Sequence, residues 1–180
     1  KIEPIPQSGF DFYNGYSAPR QDNLSPIKSE PKSNERDFFQ IIEDVKTALK
    51  EDENTNGLFS FNKATRGFVW VKDKYDIIGN WIAHYEIASR RGVISVEIHF
   101  EGEKVQNDTF SKLITSLPEN ALWIPWNNSK SIRYSKSVSI KDENVIGIIC
   151  EGLLYLEMNL GDQIRQIIKN MGEKQSEKYN

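Results

Sequence analysis

Apolar residues recur at Phe38, Ile41, Ile42, Val45 and Leu49, a spacing of three and four that gathers them on one face of a helix. Asn34 or Ser33 can cap this helix, and Glu35 and Asp37 suit its positive end. The acidic stretch "KEDENTNG" ends it, with Gly57 as a natural stop. The period then shortens to two, and "LFSFN", "GFVWVK", "NWIAHYEIAS" and "GVISVEIHF" read as strands. "NDTFSKLITSL" reads as a short helix capped by Asn107 or Asp108 and closed by Pro118. Two further strands, "ALWIPW" and "SIRYSKSVSI", precede a long apolar helix. Asp142 caps that helix, which runs through Val145, Ile146, Ile149, Leu153, Leu156 and Leu160. It continues or kinks at Gly161 and goes on through Ile164, Ile167 and Ile168. The predicted fold is α+β, of order α-β-β-β-α-β-β-α, with helices packed on one face of an antiparallel sheet.

The third and fourth β stretches carry the sharpest pattern. In "VISVEIHF", Ile94, Val96, Ile98 and Phe100 share one face, and Ser95, Glu97 and His99 share the other. In "WIAHYEIAS", the apolar set is Trp81, Ala83, Tyr85 and Ile87; His84 and Glu86 lie opposite, with Ile82 as an exception. A two-residue turn at Arg91-Gly92 joins the strands. Matching the apolar faces then requires Glu86 opposite Glu97 and His84 opposite His99, because a one-residue slip would expose every core side chain. Both histidines of the chain thus meet two carboxylates on one face. Two opposed carboxylates repel unless something compensates. A divalent cation could sit among two histidines and two carboxylates, a ligand set that suits Zn, Mn or Fe. Arg133 could bridge instead, since Ile132 and Tyr134 point the other way. Or the face is open to water and screening makes the repulsion small.

Composition narrows the class. The chain has 180 residues, 38% hydrophobic and 27% charged, enough for one domain with a genuine core. Residues 1–34, rich in proline and carrying Phe10, Phe12, Tyr13 and Tyr16, read as a tail or linker that docks on this domain or a partner, or is disordered. Residues 35–171 read as the single α+β domain, and 172–180 as a polar C-terminal tail. Without an initiator Met or a signal-peptide pattern, the chain reads as a fragment of a longer protein or a trimmed one. A single cysteine, Cys150, excludes a disulfide framework and a cysteine-based zinc site, and fits a reducing, cytoplasmic setting. In its apolar helix Cys150 reads as a small core residue. No apolar run reaches the ~20 residues a membrane span needs, so no membrane partner is expected. No cofactor is expected either, because no Gly-rich phosphate loop is present.

The net charge of −3 argues against indiscriminate DNA binding. Residues 60–141, however, hold 12 Lys/Arg against 8 Asp/Glu, so the sheet region is basic while its flanks are acidic. Arg90, Arg91, Lys130, Arg133 and Lys136 are therefore candidates for nucleic-acid or ligand binding. Trp126 joins them, and with Trp70, Trp81 and Trp123 it could offer a stacking surface for bases. A PD-(D/E)XK nuclease site needs an E-x-K on its strand to hold Mg²⁺; here that position reads Glu97-Ile98-His99, and the chain does not show that site.

The succession "ISVEIHF", "TFSKLITSL", "LWIPW", "SIRY" and "LLYLEMNL", over about residues 36–170 and through Glu97, Trp126, Ile132 and Arg133, resembles a known pattern. It is that of a bacterial family of unknown function often appended to PD-(D/E)XK restriction-type nucleases and phage-defence proteins. The resemblance implies a non-catalytic accessory domain of a DNA-processing or defence system that recognises DNA, RNA or a protein partner. His84 and His99 are not part of that pattern, which favours a structural Glu97–Arg133 pair over a metal. Two alternatives stand beside it. One is a protein-interaction or self-association module acting through residues 1–33. The other is a metal-dependent hydrolase centred on His84, Glu86, Glu97 and His99.

Overall fold

The computed structural model describes residues 37–79, 82–101, 114, 116–126 and 129–176. Helix α1 (Phe38–Glu51) starts at Asp37, whose carboxylate accepts a hydrogen bond from the Gln40 N–H at 2.8 Å. The cap is thus Asp37 itself, the residue directly before the first buried side chain, in place of Asn34 or Ser33; those two and Glu35 lie outside the described residues. All five expected apolar positions of α1 are buried. The helix stops at Glu51, six residues before Gly57. Buried Thr55 turns its hydroxyl onto the Leu49 carbonyl at 2.6 Å, satisfying one of the acceptors a helix end leaves open. Gly57, at φ +79°, serves the turn beyond it.

Among the described residues, seven strands form one antiparallel sheet: β1 (Phe59–Phe61), β2 (Phe68–Asp73), β3 (Ala83–Arg90), β4 (Val93–Phe100), β5 (Ala121–Trp126), β6 (Ser129–Tyr134) and β7 (Val138–Ser139). Their spatial order is β1-β2-β3-β4-β6-β5, with β7 also pairing β4. The fold class is as expected, and the four β stretches read before residue 101 are β1 to β4, one more than the order α-β-β-β-α-β-β-α counts. The three-residue β1 is the stretch "LFSFN". A further strand, β7, arises because "SIRYSKSVSI" is broken. Glu97 pairs Arg133 while Ile94 pairs Val138, so two additional residues bulge between Tyr134 and Val138. Inserting two rather than one keeps the alternation in phase, and Tyr134 and Val138 are both buried on the same side. Of the predicted helix at 107–117, only Ile114, Ser116 and Leu117 fall among the described residues.

The helices cover one sheet face, the one carrying Val71, Tyr85, Ile87, Val96, Ile98, Ile132 and Tyr134. Helix α2 (Val145–Leu156) lies against α1, β4 and β6. Its N-cap is Asn144, not Asp142; the Asp142 carboxylate instead accepts from the Asn144 N–H at 2.8 Å and shapes the turn leading in. The expected break at Gly161 is a π-helical turn (Glu157–Gly161) that passes directly into α3 (Asp162–Ser176). α3 therefore extends five residues beyond the predicted domain end at 171.

A second set of charges sits under this turn. Arg165 is buried and reaches Asp73 at 2.9 Å, Glu157 at 2.8 Å and Asp162 at 2.7 Å, while the Tyr85 hydroxyl donates to Glu157 at 2.6 Å. A buried guanidinium is tolerable only when paired in this way. Gly161 makes room for it, since a Cβ there would stand 2.5 Å from Glu157 Oε2. Among the described residues, no helix is long and apolar enough to cross a membrane.

Gly152 sets how closely α2 approaches the sheet. A Cβ at this position would lie 2.9 Å from the Tyr134 ring and 3.1 Å from a Val96 methyl. Tyr134 cannot swing aside freely, because its hydroxyl donates to Glu151 at 2.6 Å. Gly152→Ala is expected to cost about 1–3 kcal/mol by overpacking, despite alanine's better helix propensity. Denaturant unfolding checks this, and an equal or raised midpoint refutes the close-packing account.

Candidate functional site

The opposite sheet face holds the polar residues. The β3–β4 hairpin closes through Arg91 at φ +53° and Gly92 at φ +78°, the pair of positive values a type I′ turn requires. Its register places Glu86 opposite Glu97 and His84 opposite His99, as the alternation demands. All four side chains are buried; Glu97 and His84 are fully inaccessible. These four side chains are thus withdrawn from solvent, and screening by water is not what lets the two carboxylates coexist.

Arginine is what compensates Glu97. β6 runs beside β4 with Arg133 paired to Glu97, and Arg133 places Nε at 2.9 Å and Nη2 at 2.8 Å from Glu97 Oε1. Ser95 donates to the same oxygen at 2.8 Å, and Arg90 Nη1 approaches it at 3.3 Å. Oε2 accepts from Ser131 at 2.9 Å and meets His99 Nε2 at 2.9 Å. Burial alone would raise the Glu97 pKa. The bonds from His99, Ser95 and Ser131 and the charge of Arg133 outweigh it and hold the carboxyl far below its ordinary range. His99 moves the other way: burial opposes its charge, but Glu97, Glu86 and Glu101 together raise its pKa above the ordinary value.

Glu86 is treated differently. Burial raises its pKa, with Glu97 adding to the rise and His99, Arg90 and a hydrogen bond from Trp70 opposing it. Arg90 Nη2 and His99 Nε2 each stand 3.6 Å away, and His84 Nε2 stands 4.0 Å away. These separations lie beyond hydrogen-bond range. Glu86 is therefore a buried carboxylate with acceptor capacity left over. It lines a groove of about 360 Å³ together with Gly67, Phe68, Trp70, Arg90, His99 and Glu101, at the small end of the ~300–1,000 Å³ typical of ligand pockets. Trp70 pairs with Glu86 across β2 and β3, and its indole stacks on the His84 ring at 4.1 Å. Phe68 lies two residues earlier on the same strand face and is 40% exposed.

The candidate basic residues do not form one patch. Arg90 and Arg133 share the polar face and are engaged with Glu97. Lys130 pairs with Phe100 and projects to the other side of β6. Lys136 lies in the bulge, exposed, with its ammonium 2.6 Å from Glu151. Arg91 occupies the exposed hairpin turn. Trp126 ends β5 opposite Ser129; its side chain, Trp81 and residues 1–33 lie outside the described residues. Phe68 as the groove's second aromatic and the hydroxyls of Ser95 and Ser131 escaped the sequence reading. Strand parity carried the signal, because both serines alternate in phase with Glu97 and Arg133. Cys150 is partly buried and burial pushes its thiol up to about 11, as suits a core residue.

Ligand atoms of His84, Glu86 and His99 lie within 4.8 Å of one another, so these three could converge on a cation. The groups already in place oppose it. Glu97 is engaged by Arg133, Ser95 and Ser131, and a divalent ion would compete with the proton that Glu97, Glu86 and Glu101 draw onto His99. No family model matches the chain, and no curated protein or solved structure is significantly similar to it.

Glu97→Gln keeps the shape and removes the charge that five donors face. A loss of about 3 kcal/mol at neutral pH is expected. Because the folded pKa is depressed, the charge stabilises above the unfolded value of 4.5 and its contribution drains away as pH falls below that. The gap between wild type and Glu97→Gln should thus close from about pH 5 downward. A gap constant with pH in urea unfolding refutes this.

Proposed function

We propose that the chain is a non-catalytic recognition module that takes an unpaired nucleobase in the Phe68–Trp70 groove, as an accessory domain of a bacterial DNA-processing or defence system would. The observation that carries the reading is the groove itself. It combines an aromatic wall with a buried, incompletely satisfied acceptor, Glu86, next to a donor, Arg90. Stacking plus edge hydrogen bonding is how proteins hold splayed-out bases. The reading favours single strands over duplex. Duplex affinity rests on a continuous run of cations facing phosphates, whereas here Arg90 and Arg133 both converge on Glu97 and Lys130 lies on the other side of β6. The hydrolase alternative draws less support, since Glu97 is already engaged by Arg133, Ser95 and Ser131.

Titration with single-stranded oligonucleotides, followed by tryptophan fluorescence, tests the reading. Quenching is expected with single strands and much less with duplexes of the same sequence. Phe68→Ala should weaken binding by about 1–3 kcal/mol, the usual worth of one base–aromatic stack, without lowering the melting temperature. Tighter binding to duplex, or binding untouched by Phe68→Ala, counts against the groove.

A further inference from the structure

If the groove holds a base, as proposed, the hydrogen-bonding groups at its floor also choose among bases, a selectivity that rests on that base-binding role. An edge held here must present donors to Glu86 and an acceptor to Arg90, whose Nη2 lies 3.6 Å from Glu86 Oε1. The four common bases differ on this count. Guanine carries two adjacent donors, N1–H and the N2 amino group, with the O6 acceptor alongside. Adenine and cytosine each offer one amino group beside a ring nitrogen lone pair, which would point at the carboxylate. Uracil and thymine offer a single N–H flanked by two carbonyl oxygens, which a carboxylate repels. We infer that the groove selects guanine, with the base against Phe68 and Trp70, N1–H and the N2 amino group donating to Glu86, and O6 accepting from Arg90.

Several features suit that assignment. Glu86 and Glu97 are the same residue type on facing strands, yet only Glu86 lines the groove and keeps acceptor capacity. Its Trp70 hydrogen bond and the Trp70–His84 stack fix the aromatic wall and the acceptor relative to one another, so little ordering remains to be done on binding. Two hydrogen bonds from a neutral base also satisfy a buried carboxylate without displacing the proton that the carboxylates draw onto His99.

Calorimetric titration of the full chain with GMP, IMP and AMP tests the assignment. The expected order is GMP tighter than AMP by about tenfold or more, the discrimination of one good bidentate pair. IMP, which keeps N1–H and O6 but lacks the N2 amino group, should fall between them. Glu86→Gln should bring GMP down to the AMP level while the protein stays folded by circular dichroism; should that variant fail to fold, the GMP–IMP–AMP order in the wild type still decides. Equal affinity for the three nucleotides overturns the guanine assignment and leaves base binding standing. No binding of any nucleotide or single strand overturns both. Binding of N-acetyl-arginine amide in preference to GMP overturns both as well, and reassigns the groove to cationic peptides.

Discussion

The carboxylate of Glu97 is the charge around which the sheet is arranged. It is fully buried in the middle strand, where an ion without partners would cost more than a small domain's whole margin of stability. Its partners come from three strands: Arg90 on β3, Ser95 and His99 on β4, Ser131 and Arg133 on β6. A two-residue slip of β6 would keep every apolar side chain on the helix side and would cost little by hydrophobic burial alone. It would also move Arg133 from its place directly opposite Glu97. The ion pair thus discriminates between registers that the core cannot tell apart. This matters because β6 contributes only a short ladder to β4 before the bulge hands the edge over to β7.

The helix side has its own charged centre, and it answers the same constraint in a different way. Arg165 and the carboxylates of Asp73, Glu157 and Asp162 tie the end of β2 to the start of α3. Burial and this ring of acceptors act on Tyr85 too: its pKa is raised, first by burial and then by the Glu157 carboxylate it bonds. Tyr85 belongs to β3, so the strand that carries Glu86 and His84 on one face is anchored to the π-helical turn through the other. The π turn lets the α2–α3 run satisfy both its apolar packing and this network, which a regular helix with a side chain at Gly161 would not accommodate.

How much of this was legible in the sequence depended on the range of the interaction. The hairpin register, the type of its turn and the shared face of His84, Glu86, Glu97 and His99 follow from alternation over adjacent strands, where parity admits few answers. The Glu97–Arg133 pair was visible as one of three alternatives, because parity fixed the face of Arg133 but not the neighbour of β4. The observed helix caps lie two to four residues from the expected ones: several Asp, Asn and Ser near each start can cap, and only packing decides which does. Arg165 escaped entirely. A lone arginine within an apolar helical pattern has no local signature, and its partners lie 92 residues away at Asp73 and within a turn whose π geometry the sequence does not announce.

Symmetry in the sequence also concealed an asymmetry in energetics. Glu86 and Glu97 face one another across two strands and differ only in which outer strand each adjoins. β6 brings Glu97 an arginine and a serine, both of which bond it directly. β2 brings Glu86 a tryptophan, which offers a single N–H and a broad apolar face. The same carboxylate is therefore driven below its ordinary pKa on one side of the hairpin and above it on the other. The difference follows from bonding: burial acts on both carboxylates, and only Glu97 receives enough donors to outweigh it. Glu97 has no acceptor capacity left, since every lone pair direction is occupied, and its contribution is to hold strands together. Glu86 keeps acceptor capacity, stands at the floor of an aromatic groove, and is held in place by a neighbour that cannot satisfy it fully. The residues of the flanking strands thus divide hydrogen bonds unequally between the two members of one cross-strand pair.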